Sequence, residues 1–431
     1  MNAIKSLVQS ANTYTLDNNQ GVLCVANLPL HIRDEPWLDY RGLLIDTGRY
    51  YFDVDFIKSI IRGMSLLKLN ALHWHITDDQ SFPLEVPKYP NLHGNGAGHL
   101  GFIHNNITYN PKFRYYNHED IIDIVEYARV HGVRVIPEVD MPAHARSWGL
   151  GYNITAQCPN YVRSRHNNLN LDYTVNLPLD ISKQETYDVI QQVLSTLALL
   201  FPDPYVHIGG DEVPLDCWRE DSNMSKRMLD LGYVDSSTYL SYYYKRMFPL
   251  IRSTFDTAAS TPGKKKVIIW EDSFQDVVTS LDCKECVYQV WKGPKELENI
   301  QNSNKPVIYS YGHYLDPSYQ SCRHFKDCYE GATILDKNKI IGVEACAWEM
   351  TQRRSRSTEK DASVVERGFD QRVWHRLIAI AERLWSGQEP LSNNTIDRAV
   401  AMARLLQRQG VDTSSSSQTI KRITNNQKEY N

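Results

Sequence analysis

The chain has 431 residues, 42% of them hydrophobic and 23% charged, and 47 bases against 51 acids leave a net charge of −4. That length exceeds a single small core and suits one large barrel or two domains. The charge balance gives no general attraction to nucleic acid or to an anionic membrane, and no apolar run of about 18 residues predicts a transmembrane helix.

Residues 1–31 carry no strong pattern and are expected to be the tail end of a missing or truncated N-terminal domain; the apolar stretch at the start is too short for a secretory signal. From residue 40 the pattern changes. Residues 41–46 read as an apolar strand ending on an acid, and Ile57, Ile60, Ile61 and Met64 then share one face of a helix predicted over 54–68. A second strand over 71–76 leads to Thr77-Asp78-Asp79, then to a long loop over 81–116, of a length usually reserved for function. A helix follows Asn117, and a strand over 133–136 runs into Pro137-Glu138-Val139-Asp140 and on to His144. Ser182-Lys183-Gln184-Glu185 has the spacing of a capping box opening a helix.

Residues 205–214 are the central stretch. A short apolar run, Val206 to Ile208, meets Gly209 and Gly210 and then two adjacent carboxylates, Asp211 and Glu212. The glycines remove side chains where the backbone bends and where a ligand comes close. Four further strands fall at 267–270, 287–291, 307–310 and 341–347, with helices at 236–251 and 370–385 among the connections. Eight short apolar strands separated by helical or long segments predict a parallel sheet buried on both faces, closed as a (β/α)8 barrel over 32–411. Residues 352–368 read as a charged surface insertion, and 412–431 as a flexible tail.

Such barrels keep their chemistry at the C-terminal ends of the strands. There this sequence sets acids beside indoles: Asp46, Asp78, Glu138, Asp211 and Glu212 with Trp270, Trp291 and Trp348. Apolar walls with polar hooks suit a neutral, polyhydroxylated ring. No dinucleotide, P-loop or nucleophile-elbow pattern follows a strand. His73-Trp74-His75 puts two imidazoles on one face, as in metal-dependent amidohydrolase barrels. Those need ligands at later strand ends too, and indoles cannot ligate. Hydrogen-bonded support is the preferred role for both histidines, and neither metal nor organic cofactor is expected.

Eight cysteines and four Asn-x-Ser/Thr sequons, at Asn106, Asn153, Asn223 and Asn393, favour an oxidising, glycosylating route. Cys322 and Cys328 bracket a short loop and could pair. Cys283-Lys-Glu-Cys286 lacks the second cluster that zinc requires, so structural cysteines or free thiols are expected there.

Taken together these motifs resemble glycoside hydrolase family 20, the β-N-acetylhexosaminidases, from about Trp37 to about Gly410. The resemblance is carried by the stretches 41–47, 73–79, 137–144, 207–213, 342–348 and 381–386. It implies a lysosomal or secreted, exo-acting glycosidase whose substrate supplies its own nucleophile, the acetamide oxygen, an exception to the two-carboxylate scheme. It further implies that Glu212 is the acid and base, that Asp211 holds the acetamide N–H, and that Tyr314 bonds the acetamide oxygen. Trp270, Trp291 and Trp348 would wall the ring, Arg41, Asp316 and Glu349 would bind hydroxyls, and Asp78 and His144 would support the acid. It also implies that Cys158 pairs with Cys217. Two departures stand out: Ala143 replaces a usual Gly, and Glu349 directly follows Trp348 instead of lying two residues on, which turns it to the opposite strand face. The expected partners are a carbohydrate and a second copy of the chain in a homodimer. The rival readings are the amidohydrolase and a catalytically silent sugar-binding protein, which would have lost an acid or its supports.

Overall fold

The computed structural model describes residues 29, 31, 33–96, 114–165, 175–256, 265–274, 283, 286–316, 322–331, 336, 338–348, 362–387 and 389–413. Eight parallel strands close in sequence order into one barrel: β1 (Tyr40–Asp46), β2 (Ala71–Thr77), β3 (Arg134–Val139), β4 (Tyr205–His207), β5 (Lys266–Trp270), β6 (Val287–Val290), β7 (Val307–Tyr309) and β8 (Gly342–Ala347). β1 pairs with both β2 and β8, which completes the ring.

Alternation along each strand sorts the side chains into three interior layers and an outer shell. Tyr40, Ala71, Ile136, Ile268, Val287 and Ile308 plug the N-terminal end. A polar middle layer follows, with His73, Glu138, His207, Gln289 and Glu344 all buried. Leu44, Trp270, Tyr314 and Cys346 form the third layer, at the C-terminal end. Outward-facing residues such as Leu43, Ile45, Trp74 and Ile269 join the larger core beneath the helices. Gly42 is required here because a Cβ would lie 2.8 Å from Glu344 Cγ, inside the middle layer.

Helices α1 (Val54–Leu66), α2 (His118–Val130), α3 (Gln184–Leu200) and α4 (Tyr239–Asp256) cover the first strands. The capping box lies on α2, where Asn117 and Asp120 exchange side-chain and backbone bonds. It does not lie at Ser182: α3 starts from Lys183 without a side-chain cap, and Ser182 Oγ instead donates to Asp180 Oδ1 at 2.5 Å. The Ser182 oxygen accepts from Arg227 Nε at 2.7 Å, so a guanidinium takes the place of the helix N–H groups on that hydroxyl. The expected insertion at 352–368 is also revised, since α5 (Ala362–Ser386) begins within it. Thr413 is buried and donates to the Ala403 carbonyl, so the tail stays attached one residue past its expected start. Residues 1–28 and 414–431, which include most of the expected domain remnant and tail, lie outside the described residues.

Three disulfides form among the described residues: Cys158–Cys217, Cys283–Cys286 and Cys322–Cys328. The second revises the alternative of free thiols. Cys346 is free and buried in the third layer.

Candidate active site

The rim is walled by indoles. Trp270 and Trp348 lie with ring centroids 6.0 Å apart, and Tyr314 stands 6.4 Å from Trp348. Trp270 is pinned by its own N–H, which donates to Glu138 Oε1 at 2.8 Å. Trp291 is half-buried and donates from Nε1 to Asp272 Oδ2 at 2.7 Å. Tyr314 reaches the rim because its backbone bridges to Cys346 beside β8. Asp316, two residues on, is half-buried and faces Arg376 electrostatically.

Gly209 and Gly210 carry φ of 66° and 99°, and a Cβ on Gly209 would sit 1.7 Å from Asp140 Oδ1. The bare backbone admits the Asp140 carboxylate, which accepts from Gly210 N–H at 3.0 Å. The chain then turns so that Asp211 and Glu212 part. Asp211 points inward with Oδ1 buried and without a hydrogen-bond partner among the described residues. Glu212, at φ 50°, keeps its side chain 54% exposed.

Behind Glu212 runs a buried line of alternating imidazoles and carboxylates. His144 Nε2 lies 3.4 Å from Glu212 Oε2, and its Nδ1 faces Asp78 at 3.4 Å and Asp79 at 3.5 Å. Asp78 meets His75 at 3.0 Å, His75 meets Glu138 at 2.6 Å, Glu138 meets His73 at 2.9 Å, and His73 meets Glu344 at 2.8 Å. Tyr40 donates to Glu344 and ends the line in the plug. Supporting roles for His73 and His75 agree with this placement. Several of these residues converge closely enough to consider a cation, notably His73, Glu138 and His207. Other groups already engage them: His73 Nδ1 bonds Glu344 Oε1 at 2.8 Å, His207 Nδ1 accepts from the Gly209 N–H at 3.0 Å, and Glu138 accepts from Trp270 and bonds His75.

Burial and partners push the two adjacent acids apart. Burial raises Asp211 to about 7, with Asp272 and Glu212 adding to it and His144 opposing. The hydrogen bond with His144 lowers Glu212, against a smaller burial effect. Asp272 also accepts from Lys292 Nζ at 2.5 Å and from the Glu212 N–H at 3.3 Å, so it buttresses the acid pair.

Arg41 is not at this site. It lies at the N-terminal end of β1, where it donates to the Lys68, Leu38 and Asp39 carbonyls and lies over Trp385. Strand direction separates it from Asp46 by roughly 16 Å. The guanidinium at the rim belongs to Arg49, which pairs with Asp46 at 3.1 Å and Asp78 at 2.8 Å and sits 5.2 Å from the Trp348 ring. Its signal was its place just past an acid-terminated strand. Glu349 lies outside the described residues.

The whole span from β1 past the end of β8 matches the description "Glycosyl hydrolase family 20, catalytic domain", over residues 38–388. The chain belongs to glycosyl hydrolase family 20. Family 20 relatives include beta-hexosaminidase subunit A1 of Dictyostelium discoideum, 33% identical over 385 residues, covering 86% of this chain and 63% of that protein. Beta-hexosaminidase subunit beta of Rattus norvegicus is 34% identical over 367 residues, covering 82% of this chain and 60% of that protein. This family 20 chain thus spans less than two thirds of either relative. In fold it is similar to a Flavobacterium johnsoniae chitobiase, with a TM-score of 0.68 at 24% identity over 90% of this chain and 56% of the other.

The buried line predicts how stability varies with pH. Burial lowers His73, but Glu344 and Glu138 outweigh it and lift it to about 9; carboxylates raise His75 and His144 likewise. A raised imidazole contributes in full below about pH 6.5 and loses its contribution as pH climbs through the folded value. Asp211, and Glu271 raised to about 8 mainly by burial, slope the same way, because the folded state resists their ionisation. Glu138 and Asp78 are depressed, so their contribution is full above the ordinary carboxylate range, about pH 4, and is lost as acid carries the pH below it toward their folded values. The melting temperature should therefore peak at about pH 5–6 and decline toward pH 9. A maximum at pH 8 or above in a calorimetric series would contradict this account.

Proposed function

We propose that the chain is an exo-acting β-N-acetylhexosaminidase, removing terminal non-reducing β-linked GlcNAc or GalNAc with retention and with the substrate's acetamide as nucleophile. The observation that carries this reading is the parting of two adjacent carboxylates: Asp211 half-buried with its Oδ1 buried and unpartnered among the described residues, Glu212 open at the rim beside His144. The sugar would lie among Trp270, Trp291 and Trp348, with Arg49 in place of Arg41 at its hydroxyls and Asp316 at another. Glu212 gives its proton to the glycosidic oxygen as that bond breaks. The acetamide oxygen bonds to the anomeric carbon, helped by the Tyr314 hydroxyl, while Asp211 accepts from the acetamide N–H and balances the oxazolinium charge. Glu212, now a carboxylate, takes a proton from water as the water opens the ring. His144 and Asp78 hold the acid throughout.

The direct test is hydrolysis of paired aryl β-GlcNAc and β-GalNAc substrates from acidic to neutral pH. Tight GlcNAc binding with no turnover of either would replace the proposal with the silent binding protein. Activity abolished by chelator and restored by a metal ion would replace it with the amidohydrolase.

A lysosomal or secreted location is part of the proposal, supported by three disulfides and by the exposure of Asn153, Asn223 and Asn393. The homodimer is supported by Leu229, Leu231 and Val234, which are all more than half exposed in one short segment, and light scattering reads it. Cys158–Cys217 ties the loop leaving the acid pair to the loop after β3. Mild reduction should lower activity before the barrel melts. Simultaneous loss of activity and fold, followed by circular dichroism, would show that the bridge supports the whole fold.

A further inference from the structure

His144 and Glu212 are both non-glycine residues in the left-handed region, at φ 49° and 50°. Such a conformation persists where the surroundings enforce it. One carboxamide touches both. Asn176 Oδ1 accepts from the His144 backbone N–H at 2.9 Å, and Nδ2 donates to the Glu212 carbonyl at 3.0 Å. Nδ2 also lies 3.3 Å from His144 Nε2. An N–H facing one end and a C=O facing the other admit a single orientation of the amide. The residue itself is anchored through its neighbour: Leu177 N–H donates to Asp79 Oδ1 at 3.2 Å, and Leu177 O accepts from Ala145 N–H at 2.9 Å.

We propose that Asn176 is a positioning residue for the acid: it clamps the backbones of His144 and Glu212 together and, by turning an N–H toward His144 Nε2, keeps that nitrogen an acceptor. This deepens the proposed function and rests on Glu212 being the acid. If Nε2 carried a proton, two donors would face each other, so Asn176 disfavours the imidazolium. Asp78 and Asp79 favour a protonated ring, and Asn176 opposes them at Nε2. In the neutral form the proton lies on Nδ1, toward those two carboxylates, and Glu212 then holds its own proton against Nε2. An imidazolium there would instead keep Glu212 ionised. The charged groups bearing on this pair are Asp78, Asp79 and Asp211 around the ring, with Arg49 and Lys292 acting on Glu212.

The test begins with wild-type turnover of an activated aryl β-GlcNAc, since its absence would refute the proposed function itself. In Asn176→Ala, kcat on an unactivated alkyl glycoside should fall about tenfold, with KM nearly unchanged and an activated phenyl glycoside much less affected. The alkaline limb of its kcat profile should move to lower pH. Independently of any activity, 15N NMR of ring-labelled histidine, with His144 assigned by His144→Gln, should show His144 titrating at higher pH in the folded variant. An unmoved pH limb, or an unmoved His144 titration, would overturn the proposal. Asn176→Asp keeps an oxygen for the His144 N–H and loses both N–H donors, so its kcat should drop as in the alanine variant. Wild-type kcat in Asn176→Asp would reduce Asn176 to a support of the 144 turn and also overturn it.

Discussion

Replacing Glu212 with Gln is expected to lower kcat by about 10²–10⁴-fold on a poorly activated leaving group, the usual worth of a positioned general acid. The amide keeps the shape of the side chain and its place beside His144, so substrate binding should change little. An activated phenol leaves with little protonation, so the first step should be much less impaired on an aryl glycoside. The second step still needs a base, and the intermediate should therefore accumulate on activated substrates as an initial burst. The state of Glu212 in the structure is consistent with this role through substrate binding. Its side chain is half exposed and lowered by His144, and a sugar stacked on the indole wall would bury it and raise its pKa toward that of a working acid. Equal losses of kcat/KM, which reports the first step, on alkyl and activated aryl substrates would show that Glu212 does not donate the proton.

Changing Asp211 to Asn tests the other half of the pair. Substrate assistance means that a β-glucoside without the 2-acetamido group should hardly react even with the unaltered chain. A thiazoline mimic of the cyclised intermediate should bind far more tightly than substrate. The Asn variant retains hydrogen-bonding shape but lacks the negative charge. It should lose about 10²-fold or more in kcat, and thiazoline affinity should suffer more than product affinity. Burial holds Asp211 at about 7, so kcat/KM should fall as acid protonates it below about that pH. A bound acetamide N–H favours the ionised carboxylate, so the acid limb of kcat should lie at lower pH than that of kcat/KM. Equal loss of thiazoline and product affinity would make Asp211 a plain binding residue. A sugar trapped covalently on any carboxylate would end the substrate-assisted scheme.

What the sequence determined by itself was local or periodic. Runs such as Leu43-Leu44-Ile45 and Val267-Ile268-Ile269 are apolar on both faces, and only a sheet covered on both sides accommodates them, so the closed parallel barrel was legible. Gly209-Gly210-Asp211-Glu212 was legible as a site because two bare residues before two acids have little use elsewhere. Tertiary structure decided matters set by residues distant in the chain. The motif at 41–47 marked Arg41, yet strand direction buries it against Trp385 at the opposite end of the barrel and leaves Arg49 at the rim. Ser182 had the spacing of a cap, but Arg227 took its acceptor oxygen and Asp180 its proton. Asp272, Asn176 and the line from His144 to Glu344 bear no local mark. Each matters through a partner supplied by another strand or loop, and a buried polar group is satisfied only by what the closed fold brings within about 3 Å of it.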